Sequence, residues 1–196
     1  MYLYNLDKES LDNFKNWTRK LFNFEVEVSS VNGNMELIIT EKGKEKHNMV
    51  DVGFGYTQIL PILAIIWKTL YKNFTITNYS RTTGWNQYMI AIEQPELHLH
   101  PRLQGLFASM LVTVIKEAKE QGRDIRFIIE THSEIMISRI GQMIATHEFS
   151  NEDINVYIFN AANEGMQNYI EKSYYSEDGQ LINWPYGFFS DYVFED

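Results

Sequence analysis

Glu93-Gln94-Pro95-Glu96 closes the apolar run Met89-Ile90-Ala91-Ile92 and is followed by His98, His100 and Pro101. An apolar strand ending in a carboxylate is the layout with which an NTPase holds magnesium beside a nucleotide. Downstream, Ile128-Ile129-Glu130-Thr131-His132-Ser133 ends a second apolar run in an acid and a histidine. Upstream, Asp51-Val52-Gly53-Phe54-Gly55-Tyr56-Thr57-Gln58 sets two glycines ahead of an apolar segment. Glycines at a helix start let backbone N–H groups and the helix dipole approach an anion closely. A rival chemistry uses the same residues: His98 and His100 with Glu93, Glu96 and His132 are nitrogen and oxygen ligands suited to a metal-dependent hydrolase. That reading leaves the Gly53 and Gly55 element without a role. A third reading is a non-catalytic scaffold, a remnant that binds protein partners.

A P-loop needs Gly, four residues, then Gly-Lys and Ser or Thr, because its backbone N–H groups wrap the phosphates while the Lys reaches the outermost ones. The only Gly-Lys pair is Gly43-Lys44, with Ile38 where the first Gly belongs and Glu45 where the hydroxyl belongs. The chain alone therefore holds no complete nucleotide site.

The elements that must position these residues read as a mixed α/β pattern. Ser10 is placed to cap an amphipathic helix carrying Leu11, Phe14, Trp17 and Leu21. Phe24, Val26 and Val28 alternate, Asn32-Gly33 supplies a turn, and Met35, Leu37 and Ile39 alternate again, which predicts a β-hairpin. Residues 57–70 read as an apolar helix, with Pro61 tolerable near its first turn. Residues 73–87 are polar and turn-rich. Buried strands are expected over 88–93 and 125–130, with helices over 103–120 and from the Ser133 cap to about Thr146. Strand, helix, strand, helix with uninterrupted apolar strands predicts a mainly parallel sheet flanked by helices on both faces. Residues 154–159 and 169–175 suggest another hairpin around Asn163-Glu164-Gly165, followed by the aromatic stretch Trp184-Pro185-Tyr186-Gly187-Phe188-Phe189. That stretch is expected to pack on the domain as an anchored cap.

With 196 residues the chain suits one compact domain or part of a larger one. It has no cysteine, which excludes a disulfide framework and thiolate metal sites and fits a reducing compartment. The most apolar run, residues 59–67, contains Pro61 and is well short of the ~20 residues a membrane span needs. The expected location is therefore cytoplasmic, with no membrane contact. A formal net charge of −9 argues against direct nucleic-acid binding, and Lys42, Lys44 and Lys46 have Glu41 and Glu45 interleaved with them, as in a solvated turn.

Three motifs in this order resemble the carboxy-terminal half of a bacterial ABC-like AAA-family ATPase. The chain is similar to RecF-like and OLD-like proteins, in the branch that ends in a Trp-Pro-x-Gly-Phe-Phe domain of unknown function. The resemblance runs from about Asn48 to Phe189 and implies a partial P-loop NTPase fold of ABC type. It divides the chain into a helix and hairpin subdomain (1–50), an ATPase carboxy-terminal lobe (51–150) and a hairpin with an aromatic cap (151–196). It implies that residues 52–56 are the signature that caps the γ-phosphate of ATP on an opposing subunit, so that Gly53, Phe54, Gly55 and Gln58 bind nucleotide. Gly53 stands where the usual signature has Ser, which removes one charge-assisted hydrogen bond of ~1.5–3 kcal/mol. Glu93 matches the Walker B carboxylate that holds magnesium. Gln94 stands where the catalytic Glu is usual, and loss of a general base forfeits ~10²–10⁴ in rate. Either ATP acts mainly as a clamp, or Glu96 or His132 substitutes. His132 matches the switch histidine, and His98 and His100 match the loop that crosses the dimer interface, with His100 where many relatives have Asp. The resemblance thus implies ATP and magnesium as cofactors, an ATPase only when complemented by a P-loop half, and as partner that half or a second copy. Relatives of this type serve antiphage defence, often beside a nuclease or other effector.

Overall fold

The computed structural model describes residues 2–31, 34–51, 53–71, 87–160 and 169–185. They fall into two compact units, Met1–Thr131 and His132–Asp196. The turns expected at Asn32-Gly33 and Asn163-Glu164-Gly165, the polar stretch 73–86 and the aromatic positions 186–189 lie outside the described residues.

The first unit opens with α1 (Lys8–Phe22), and its cap is Asp7 rather than Ser10. Asp7 has extended backbone and its carboxylate accepts from the Ser10 backbone N–H (2.8 Å) and the Ser10 hydroxyl (2.7 Å). A carboxylate one turn earlier satisfies two donors where the serine hydroxyl could satisfy one. The apolar stripe of α1 buries Phe14, Trp17 and Phe22. Asn23, at φ 60°, ends the helix in the left-handed conformation and turns the chain into β1 (Phe24–Val31). β2 (Asn34–Glu41) pairs antiparallel with β1 from Phe24↔Glu41 to Val31↔Asn34, and β3 (Lys46–Asn48) adds a third strand. Val26, Leu37 and Ile39 point inward, and α1 packs on β1. Gly43-Lys44 lies in the β2–β3 turn, with Gly43 at φ 79° and Lys44 paired to Glu41 (2.8 Å).

α2 (Phe54–Tyr71) begins three residues earlier than its apolar pattern predicts. Phe54 and Gly55 therefore belong to its first turn, and Pro61 falls in the helix interior instead of near the start. A proline there removes one helical N–H and crowds the preceding turn. Packing offsets that cost: Ile59, Leu60, Leu63, Ile66, Trp67 and Leu70 are buried. Trp67 Nε1 donates to Asn13 of α1 (2.8 Å), and Arg123 donates to the terminal carbonyls of Thr69 (2.9 Å) and Leu70 (2.8 Å).

β4 (Gln87–Glu93), α3 (Pro101–Glu120) and β5 (Asp124–Glu130) form a strand–helix–strand unit. The two strands are parallel and in register from Gln87↔Asp124 to Glu93↔Glu130, and α3 packs on β5. Such a pair requires a crossover of this kind. The strands are not buried on both faces as their apolar runs predict. Ile92 and Ile125 face the core, whereas Met89 is 67% and Ile128 56% exposed on the opposite face. Side chains alternate across a strand, so uninterrupted apolar strands expose apolar surface wherever a covering layer is missing.

The second unit contains α4 (Glu134–Ala145), β6 (Val156–Asn160), β7 (Tyr169–Tyr175) and β8 (Leu181–Ile182). Ser133 caps α4 by accepting from Met136 N–H (3.1 Å). β6 and β7 pair antiparallel, and β8 extends the sheet beyond the expected hairpin. Tyr175 is buried, donates to the Ile137 carbonyl (2.9 Å), and has its ionisation pushed up by that burial. Gly141 of α4 lies against the Gly179 carbonyl in the β7–β8 turn, an approach a Cβ would block. No helix among the described residues is long and apolar enough to cross a membrane.

Candidate functional site

In the first unit the carboxyl ends of β4 and β5 lie side by side, which puts Glu93 opposite Glu130 with both carboxylates exposed. The ladder continues one step further, since Gln94 N–H donates to the Glu130 carbonyl (2.8 Å). The chain then reverses through a tight loop in which Leu97 N–H donates to Gln94 O (3.2 Å) and Leu99 N–H to Glu96 O (3.0 Å). Gln94 (φ 43°) and His98 (φ 60°) are both left-handed without being glycine. Conformations of that kind cost on the order of 1–2 kcal/mol each and persist where the surroundings impose them.

The imposing neighbour is the start of α2. A Cβ on Gly55 would lie 2.8 Å from the His98 carbonyl oxygen, so only glycine admits this contact. Phe54, 78% exposed, sets its ring 6.0 Å from that of His98. Gly53 is left-handed at φ 90°, with nothing within 4 Å of a built Cβ, so the backbone ahead of α2 is open on that side. Gln58 sits half-buried one turn further on. Val52 lies outside the described residues.

The remaining residues of the loop have structural duties. His100 caps α3 by accepting from Arg102 N–H (3.2 Å) through Nδ1, and Pro101 follows at the first helical position. Gln104 donates to Leu99 O (3.0 Å). Glu96 is buried, so its carboxylate does not front solvent as a freely accessible base would. His132 is exposed, opens the second unit and directly precedes the Ser133 cap. Among the described residues no group of three or more His, Asp or Glu side chains is arranged to hold a metal ion.

A group that sequence reasoning passed over braces the start of α2. Tyr56 is buried with its ring edge-on to Phe24 (5.1 Å, 89°) and hydrogen-bonds Glu41 at the end of β2. Burial first, and then the Glu41 charge, push the Tyr56 ionisation up. Lys44, with smaller contributions from the Tyr56 hydrogen bond and then from Arg102 in the first turn of α3, holds the Glu41 carboxyl below the ordinary range. One acid thus links the hairpin to the starts of both helices that flank the loop. These partners are distant in sequence, and only the motif-adjacent position of Tyr56 could have signalled it.

Comparison with known proteins bears on this geometry. A family model described as an AAA ATPase domain matches residues 2–137. A solved structure, from work on ATP-driven dimerization and DNA-stimulated activation of SMC ATPases, is similar over 83% of this chain and 82% of that one. Its identity is 14% and its TM-score 0.54, a likeness of fold. An Smc head domain with an extended coiled coil, bound to the C-terminal domain of ScpA and derived from Pyrococcus furiosus, aligns over 66% of this chain and 29% of its own, at 14% identity and TM-score 0.45. No curated protein sequence matches the chain. The α/β architecture is similar to that solved for an SMC ATPase, a P-loop NTPase fold, and the family match covers α1 to the start of α4. By that match, the chain belongs to the AAA ATPase domain family.

Proposed function

We propose that this chain supplies the signature, Walker B and switch parts of a composite magnesium-ATP site that a P-loop carried elsewhere completes. The carrying observation is the backbone packing of the loop after Glu93 against the glycine start of α2, which sets an exposed carboxylate and an open helix start on adjoining segments. The residues present fit part of the nucleotide. Backbone N–H groups at Gly53 and Gly55 suit an outer phosphate, and Glu93 suits magnesium held through water. They do not fit the inner phosphates, because the only Gly-Lys pair is folded into the β2–β3 turn with Lys44 engaged by Glu41. Bound magnesium-ATP would supply a phosphoryl group whose charge the metal offsets.

In this reading Gln94 orients water without taking its proton and the buried Glu96 shapes the loop, while by resemblance His132 is the switch histidine. Hydrolysis is slow and ATP serves mainly to clamp subunits. The apolar face of β4 and β5, with Met89 and Ile128 outward, is the surface through which the complementing half or a second copy associates. By resemblance to RecF-like and OLD-like proteins, the complex serves antiphage defence beside an effector.

The test is purification of the tagged chain from its native host, with identification of what accompanies it. The expected companion carries a P-loop, and the complex binds ATP in a magnesium-dependent way that Glu93→Gln weakens at least about tenfold. A companion-free chain, or a complex indifferent to ATP, rejects this reading in favour of the scaffold.

A further inference from the structure

The outer face of the β6–β7–β8 sheet breaks the usual rule for an antiparallel sheet with one wet side, which alternates apolar residues inward with polar residues outward. The inner face is conventional: Ile158, Ser173 and Tyr175 are buried. Outward, the register sets Phe159 opposite Ile170, Tyr157 opposite Lys172, and Tyr174 opposite Ile182. Phe159 is 77% and Ile170 61% exposed, and Tyr157, Tyr174 and Ile182 are exposed as well. In the middle stands Lys172, also exposed, whose ammonium has no carboxylate partner among the described residues. Its own backbone carbonyl is held by Asn183 Nδ2 (2.9 Å), which keeps this stretch of β7 in place.

We infer that this face is a docking surface for one amphipathic helix of a partner protein, apolar on the side that meets the sheet and carrying a single Asp or Glu that meets Lys172. Three considerations select that occupant. The first is charge. An ammonium set among aromatic and aliphatic side chains, with no carboxylate partner among the described residues, gains most from one carboxylate, since a charge-assisted contact strengthens as water is excluded. The second is size. Three strands about 4.8 Å apart and five residues at ~3.4 Å each make a strip that a helix ~10 Å wide covers in about three turns. Such a strip resembles the ~300–600 Å² patches that mark interaction sites, and falls short of the ~800 Å² per partner in a standard protein interface, so two copies stacked on this face alone would be a weak dimer. The third is exclusion of nucleic acid. Aromatic platforms for bases work with clustered cations, whereas the described residues of this face carry one, and Glu152, Asp153, Glu177 and Asp178 flank its strands at one end.

The experiment places the photo-cross-linker p-benzoylphenylalanine at Phe159, in the full chain expressed in its native host, and sequences the peptides it captures. The expected peptide has apolar residues at three- and four-residue spacing with one acid among them. Its capture falls at least about tenfold in Lys172→Glu and returns when the captured acid is changed to Lys. Circular dichroism of Lys172→Glu, unchanged from the parent, separates lost docking from lost folding. Cross-links to this chain's own residues, to a second copy or to nucleic acid overturn the inference. So do capture of no protein, and capture that survives the charge reversal.

Discussion

Single residues around the loop carry distinct physical costs, and two kinds can be separated. Gly53 is required by its conformation and Gly55 by the His98 carbonyl above it. Gly53→Ala is expected to lose about 1–2 kcal/mol in urea unfolding through left-handed strain alone. Gly55→Ala should lose at least as much and also move the loop, read as shifted amide resonances at residues 97–99. Glu41 makes a pH-dependent contribution. Its carboxyl is held below the ordinary range chiefly by Lys44, so the stability it adds is fully present above the unfolded value of ~4.3 and is lost as pH falls through the lower folded value. Glu41→Gln should therefore be less stable than the parent at neutral pH, and the two should converge in acid. A gap that stays constant from pH 7 to 3 would remove the charge from this account.

At the scale of elements, α2 depends on what is packed around it more than on its own sequence. It carries a proline in its interior, and its last carbonyls are held by an arginine that sits beyond α3. Arg123→Ala removes two charge-assisted bonds at a helix end where cations are favoured. A loss of about 1.5–3 kcal/mol is expected in chemical denaturation, with faster amide exchange in the last turn of α2 and little change in α1. The same dependence explains the misplaced start of this helix. Apolar periodicity marks residues 57–70, whereas Phe54 is solvent-facing and Gly55 is a poor helix former. They are helical because the neighbouring loop and the Tyr56–Glu41 brace hold them there. α4 needed no such help, since Ser133 caps it at the predicted place.

At the scale of the whole molecule, two sheet faces, one in each unit, stay apolar and open among the described residues. A net charge of −9 opposes non-specific association without covering either face. Ile128→Glu is expected to reduce concentration-dependent association or recovery of a complementing half at least about tenfold, by analytical ultracentrifugation and by co-purification. Its thermal midpoint should stay within a few degrees of the parent's, because the side chain already faces out. A variant that associates as strongly as the parent would free the β4–β5 face from this role.

Local pattern sufficed for what depends on neighbours in sequence. Alternation in β1 and β2, the apolar run into Glu93, the Ser133 cap and the parallel sense of β4 and β5 all rest on periods of two or 3.6 and on crossover length, which the chain carries within a few residues. The resemblance carried by the three motifs in order likewise implied an ATPase-type fold. Long-range packing accounted for the rest. It set which face of β4 and β5 stays exposed among the described residues, why Gly55 tolerates no side chain, and that Glu96 is buried while Glu93 is exposed. It also gave Lys172 an apolar setting by pairing β7 with strands on both sides. An alternating strand specifies two faces, but only the layer laid against one of them determines which side is core and which is left to meet a partner.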